Sequence, residues 1–246
     1  TLDLSDCTAL TDLSCFGNQL TSLDLSNNTA LHILECSSNR LTSLDVSNNT
    51  ALKNLWCYEN KLTSLNVSSN TALTELDCSD NKLTSLDVSN NSALTTLYCS
   101  YNQLTSLDIS NNTALFDLSC HNNQLTSLDV SNNAKLRTLT CSENQLTSLD
   151  LSNNTALKKL STNENEYEIT LTGKTFDLST LPTGFDVTKA SDWTNATVKG
   201  NILTIEDITK EVTYTYDCGL GFSDTFALVP QIAEENTGVE INEANF

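Results

Sequence analysis

The chain has 246 residues, 12 basic against 31 acidic, and a formal net charge of −19 at pH 7. So acidic a surface argues against nucleic acid or an anionic membrane as partner, because both reward Lys and Arg. No apolar run approaches the roughly 20 residues that span a bilayer, so no membrane insertion is expected. The chain contains no Met and opens without a leader segment, and is expected to be a mature or excised piece of something longer.

From the N-terminus, Leu10, Leu31, Leu52 and Leu73 open a series that steps by 21 residues to Leu157. A second Leu series runs from Leu13 to Leu160, and an Asn series from Asn18 to Asn165. Seven Cys, from Cys15 to Cys141, keep the same step, with Thr162 in the eighth place. The other half of each turn repeats the logic, as in Leu41-Thr42-Ser43-Leu44-Asp45-Val46-Ser47-Asn48-Asn49. Each turn is thus a doubled LxxLx(C/V/L)xxN. Alternation at xLxC and xLxV sends one set of side chains inward with period two. In-register turns about 4.8 Å apart would stack identical residues and let the Asn columns satisfy buried backbone groups. Two short parallel strands per turn are expected, with stability resting on neighbour-to-neighbour stacking.

This pattern resembles the leucine-rich-repeat family, whose consensus is LxxLxLxxNxL. The resemblance covers residues 1–166 and implies a solenoid of about eight turns, mostly β with little helix. It departs from the common form, which places a helix or irregular segment on the back, in its doubling, so little helix is expected there. The seven repeat Cys take the inward place that Val, Leu or Ile fills in the other half, so they read as small core hydrophobes. A straight column at strand spacing cannot converge four thiolates on one metal ion, so no metal site is expected. Cys7 and Cys218 fall outside the column and too far apart to pair.

The two halves differ on their outward positions. The second half is nearly constant and carries an Asp column from Asp3 to Asp150, broken only by Asn66. The first half varies and is rich in aromatics. Trp56, Tyr58, Tyr98 and Tyr101 fall within three adjacent turns, edged by Arg40, Lys61 and Lys82. Constant outward residues suit a structural back, and a variable aromatic stripe suits a recognition surface. The candidate binding surface is therefore Trp56, Tyr58, Tyr98, Tyr101, Lys61 and Lys82.

After Asn165 the period stops. Six short strands are expected, over Tyr167–Thr172, Thr175–Leu178, Ala196–Lys199, Ile202–Ile205, Val212–Tyr216 and Thr225–Val229, with a tight hairpin at Lys199-Gly200-Asn201. Residues 167–233 are expected to form a small all-β sandwich capping the last turn. Their position and the stretch TVKGNILTI…VTYTYDCGLGFSDTFALV resemble the immunoglobulin-like domain that follows the repeats in internalins and related Gram-positive surface proteins. Residues 234–246 read as an acidic tail or linker whose end resembles the opening of another repeat block.

The only His are His32 and His121, on outward positions several turns apart, and no GxSxG, HExxH or phosphate loop occurs. With no His expected beside the outward Ser, no enzyme is expected. The function read from these residues is a monomeric, cofactor-free protein- or glycan-binding module of a bacterial cell-surface or secreted protein. The competing reading is a structural spacer or stalk.

Overall fold

The computed structural model describes residues 2–233, so the tail expected over 234–246 lies outside the described residues. The repeats build one parallel sheet from eight three-residue strands. They are β1 (Asp12–Ser14), β2 (Ile33–Glu35), β3 (Asn54–Trp56), β4 (Glu75–Asp77), β5 (Thr96–Tyr98), β6 (Asp117–Ser119), β7 (Thr138–Thr140) and β8 (Lys159–Ser161). Each holds an inward Leu between two outward side chains. Neighbours pair with an offset of one repeat, Leu34 opposite Leu55 and Leu97 opposite Leu118. The seven pairings make about seven turns of solenoid, with no α-helix among the described residues.

The ladder runs past each strand. Cys57 donates its N–H to Asp77 O at 2.8 Å and Glu59 to Ser79 O at 3.1 Å, both in the following turn. Glu59 itself is left-handed (φ 52°), as are Ser38, Asp80, Tyr101, Asn122, Glu143 and Glu164 in equivalent places. That single residue reverses the ladder, since Lys61 N–H donates back to Leu41 O at 2.8 Å in the preceding turn. At the corner Asn60 is buried, accepting from Leu41 N–H on Oδ1 at 2.9 Å and donating through Nδ2 to the Cys36 and Cys57 carbonyls at 3.1 Å.

The second strand expected in each turn does not form. In Leu44–Asn49 the Asp45 carboxylate accepts Ser47 N–H at 2.9 Å, which curls the chain. The next amides are then spent within the turn, Asn49 N–H on Val46 O at 3.0 Å and Leu52 N–H on Asn49 O at 3.1 Å. With its amides used locally, this side joins its coils through side chains. Asn49 Nδ2 reaches Leu25 O at 3.2 Å and Asn28 O at 2.8 Å, and the same pair of bonds recurs down the column to Asn154. One face is a backbone-bonded sheet, and the other is a stack of turns riveted by asparagine.

Between the faces the Leu, Val and Cys columns are buried, Cys36 to Cys141 completely and Cys15 to 7% exposure. All nine Cys are free thiols, with Cys7 exposed and Cys218 buried away from it.

Beyond β8 the chain forms two sheets. The larger has the order β11 (Ala190–Ser191), β14 (Val212–Gly219), β15 (Phe222–Ile232), β9 (Asn165–Leu171), and the smaller β10 (Thr175–Asp177), β13 (Ile202–Ile205), β12 (Ala196–Lys199). The expected strands reappear here within a few residues, β11 having been too short to read. The hairpin turns at Gly200 (φ 61°) with Lys199 opposite Ile202. β9 leaves directly from the repeat, because Asn165 still accepts Leu146 N–H at 3.1 Å. The larger sheet then folds back on the last turns. Tyr214 O–H donates to Thr147 O at 2.6 Å, Leu151 N–H to Cys218 O at 2.8 Å, and Lys189 pairs with Asp150 at 3.6 Å.

Candidate recognition face

The short strands and the corner after them project four outward columns. The first two flank the inward Leu, as Glu75 and Asp77 flank Leu76. The third follows the inward Cys and holds Phe16, Ser37, Tyr58, Ser100 and His121. The fourth is the left-handed corner, where Glu59, Asp80 and Tyr101 sit. All four expected aromatics therefore stand on one face. Trp56, Tyr58 and Tyr98 are half-buried and Tyr101 is 48% exposed.

Each ring is held by a neighbour one or two turns away. Trp56 Nε1–H donates to Glu75 Oε1 at 2.9 Å, and Asn54 Nδ2 donates to Glu75 Oε2 at 2.8 Å. Tyr98 O–H donates to Asp117 Oδ2 at 3.0 Å. Tyr58 leans towards Phe16, ring centres 6.3 Å apart, across the intervening Ser37. Tyr101 meets His121 edge-on at 4.9 Å. The four aromatics do not stack on one another. Each is fixed separately, which lowers the entropy that a binding partner must remove.

A shallow hollow of about 390 Å³ opens between Tyr98 and Tyr101, lined further by Asp80, Asp117, Ser100 and His121. The carboxylates around it are crowded. Burial pushes the Asp77 carboxyl up, and the Asp80 and Glu75 charges add to this, against a hydrogen bond from Ser79 N–H at 3.0 Å. Asp80 is raised by burial and by Glu59. Tyr98 is pushed up to about 12 by burial, its bond to Asp117 and the neighbouring acids. Among the described residues the ion pairs are Lys189–Asp150 and Lys210–Asp207, so no carboxylate of this face has a cationic partner.

Lys61 and Lys82 are exposed, one step past the Asn column and at the rim of the face. The groups of this face missed in the sequence include Asp80 and Ser100, which line the hollow from the later columns, and Glu75 and Asp117 in the first outward column. The signal for the last two was the residue before each inward Leu, a strand position that points the same way as Trp56 and Tyr98. The expectation that no His stands beside an outward Ser is also corrected. His121 Nδ1 lies 2.7 Å from Ser100 Oγ and 3.0 Å from Ser119 Oγ, because equal offsets bring adjacent turns into register. Among the described residues the ring's hydrogen-bond partners are these two hydroxyls.

The opposite face behaves differently. Asp24, Asp45, Asp87, Asp108 and Asp150 are held below the usual carboxylate range mainly by hydrogen bonds from the Ser two residues on. Among the described residues no group of His, Cys, Asp and Glu is arranged to hold a metal ion.

The family model "Leucine Rich repeats (2 copies)" matches residues 71–113. No curated protein matches the chain. Among solved structures, the functional domain of InlJ from Listeria monocytogenes, described as including a cysteine ladder, is 25% identical. That match covers 94% of this chain and 78% of that one, at a TM-score of 0.51. An internalin (inlF) of Listeria monocytogenes is 25% identical over 66% of this chain and 58% of its own, at TM-score 0.54. The plant peptide hormone receptor RGFR1, solved in complex with RGF2, is 26% identical over 66% of this chain and 29% of its own, at TM-score 0.54. The repeat spacing, the parallel solenoid and these matches make the chain a leucine-rich-repeat protein. It spans little more than half of the internalin and under a third of the plant receptor.

Proposed function

We propose that the strand face is a recognition surface for a protein or glycan ligand, and that the chain is a non-enzymatic binding module of a bacterial cell-surface or secreted protein. The observation that carries this is the contrast between faces. Trp56, Tyr58, Tyr98 and Tyr101 project from one side of a chassis whose other side repeats the same Ser, Asp and Asn. Rigid aromatics with polar tips are the chemistry of binding hot spots. The plant receptor of similar fold was solved with its peptide hormone, and the internalin likeness supports the bacterial surface setting. The C-terminal sheets are assigned the role of an immunoglobulin-like spacer that caps the last turns, and the chain is taken to act as a monomer.

An array of peptides and glycans probed with the purified protein tests this. Trp56→Ala and Tyr98→Ala should each weaken a genuine hit by about 1 kcal/mol or more, the hot-spot scale. Asp108→Ala, on the constant side, should change it little. Loss with Asp108→Ala and none with the aromatic variants would move the site to the other face. If every hit survives all three changes, the spacer reading stands instead.

A further inference from the structure

Three features of the strand face bear on the chemistry of its partner, granted that the face is a recognition surface. First, across the strand and corner positions of β2 to β6 the acidic side chains are Glu35, Glu59, Glu75, Asp77, Asp80 and Asp117, with no Lys or Arg among them. None makes an ion pair among the described residues, and the His121 ring is the one positive influence on Asp80. Second, the acids are interleaved with aromatic rings. The hollow of about 390 Å³ has Tyr98 and Tyr101 as walls and the Asp80 and Asp117 carboxylates on its rim. Third, Ser37 is fully buried beneath the Phe16–Tyr58 pair, and its hydroxyl makes no hydrogen bond of good geometry, the Tyr58 side chain being its weak polar neighbour. It lies in the outward column, so a ligand donor or acceptor that parts the two rings would satisfy it.

A cation is drawn to the face of an aromatic ring and gains further when carboxylates complete its hydrogen bonds. An anionic sugar or an acidic peptide would meet only like charge here. A neutral glycan could use the rings and donate its hydroxyls to the carboxylates, but it would bring no positive charge to the six acids. Ser79 N–H already donates to Asp77 at 3.0 Å, and a positive group on this face would offset the repulsion from Asp80 and Glu75 as well.

We infer that the partner is a basic protein segment, and that one of its Lys or Arg side chains enters the hollow between Tyr98 and Tyr101, against Asp80 and Asp117. Lys61 and Lys82, at the rim, then repel the partner's other cations and set its register along the face. The lysines edge the site and do not form its centre.

The test uses four fluorescent twelve-residue peptides, with Lys, Arg, Ser or Glu in alternate positions, together with a neutral oligosaccharide. Each is titrated against the whole protein at two salt concentrations. Binding of the Lys or Arg peptide should exceed that of the Ser and Glu peptides by about tenfold or more and weaken with salt. The double change Asp80→Asn/Asp117→Asn should remove about tenfold of that affinity. Asp108→Asn/Asp129→Asn, which alters net charge equally, should cost less than about twofold, since Asn66 already fills that column and accepts Ser68 N–H at 3.0 Å. Equal losses from the two doubles would mean attraction to net charge alone and would overturn the inference. Tighter binding of the Ser peptide or the oligosaccharide, abolished by Trp56→Ala, would overturn the basic partner while keeping the recognition face. If no probe distinguishes the parent from Trp56→Ala and Tyr98→Ala, both readings fall.

Discussion

At the residue scale the solenoid depends on groups that have one job each. Asn91 is buried and donates to Val67 O at 3.1 Å and Asn70 O at 2.8 Å, second bonds to carbonyls that already accept Asn70 N–H and Leu73 N–H within the turn. Its own Oδ1, like those of Asn49 and Asn112, has no partner, so the column is kept for its donors. Asn91→Ala removes two buried inter-turn hydrogen bonds and should cost about 0.5–1.5 kcal/mol for each, measured by urea unfolding. The exposed Asn90→Ala, which gives up one bond of 3.3 Å, should stay within about 0.5 kcal/mol. An equal effect from both would deny the riveting role. The thiols give a second residue-scale prediction. Burial holds Cys57, Cys78, Cys99 and Cys120 well above the ordinary thiol value of 9.0. A folded pKa raised in this way keeps its stability below the unfolded pKa and loses it as pH rises from there towards the folded value. Stability should therefore fall steadily above pH 9, several thiols acting together. In the native protein at neutral pH, a thiol reagent should label Cys7 quickly and the rest only on unfolding. Fast labelling of several thiols would contradict the buried column.

The left-handed column shows what a single sequence conceals at the scale of one element. Nothing in Glu59, Asp80 or Tyr101 announces a positive φ, since these are not glycines and only Gly17 opens the series with one. The pattern LxxLxCxxN did announce the inward Leu and Cys, because alternation is a side-chain property that survives in the letters. It suggested a second strand for the same reason, and failed there because Asp45 captures an amide that a strand would have shared. The outward Asp and Glu beside each inward Leu were legible as letters but not as a lining, since only the register shows that Asp117 reaches Tyr98. Leu97 tests the element directly. It is fully buried between Leu76 and Leu118. Leu97→Ala should cost about 2–5 kcal/mol, and hydrogen exchange should quicken first in the turns of β4, β5 and β6. Loosening confined to β1 or to the C-terminal sheets would contradict nearest-neighbour coupling.

At the scale of the whole molecule, the end of the solenoid is closed by β14 of the larger C-terminal sheet. Tyr214 lies in the aromatic core with Trp193 and Phe226 and spends its hydroxyl on the Thr147 carbonyl. Tyr214→Phe keeps the ring but strands that carbonyl. It should lower stability by about 1–3 kcal/mol, with the exchange change reaching the last turns of the repeats. A change confined to the C-terminal sheets would show that the two parts are not coupled there.

The division of labour between the faces is the central claim, and a hydrogen-exchange footprint of the protein with its tightest array hit tests it most directly. The account predicts that ligand slows exchange in β3 to β6 and at the corners around Glu59, Asp80 and Tyr101. The constant halves, as at Val67–Asn70 and Val88–Asn91, should exchange as they do in the free protein. Protection that falls on those halves or on the C-terminal sheets, with β3 to β6 unchanged, would contradict it.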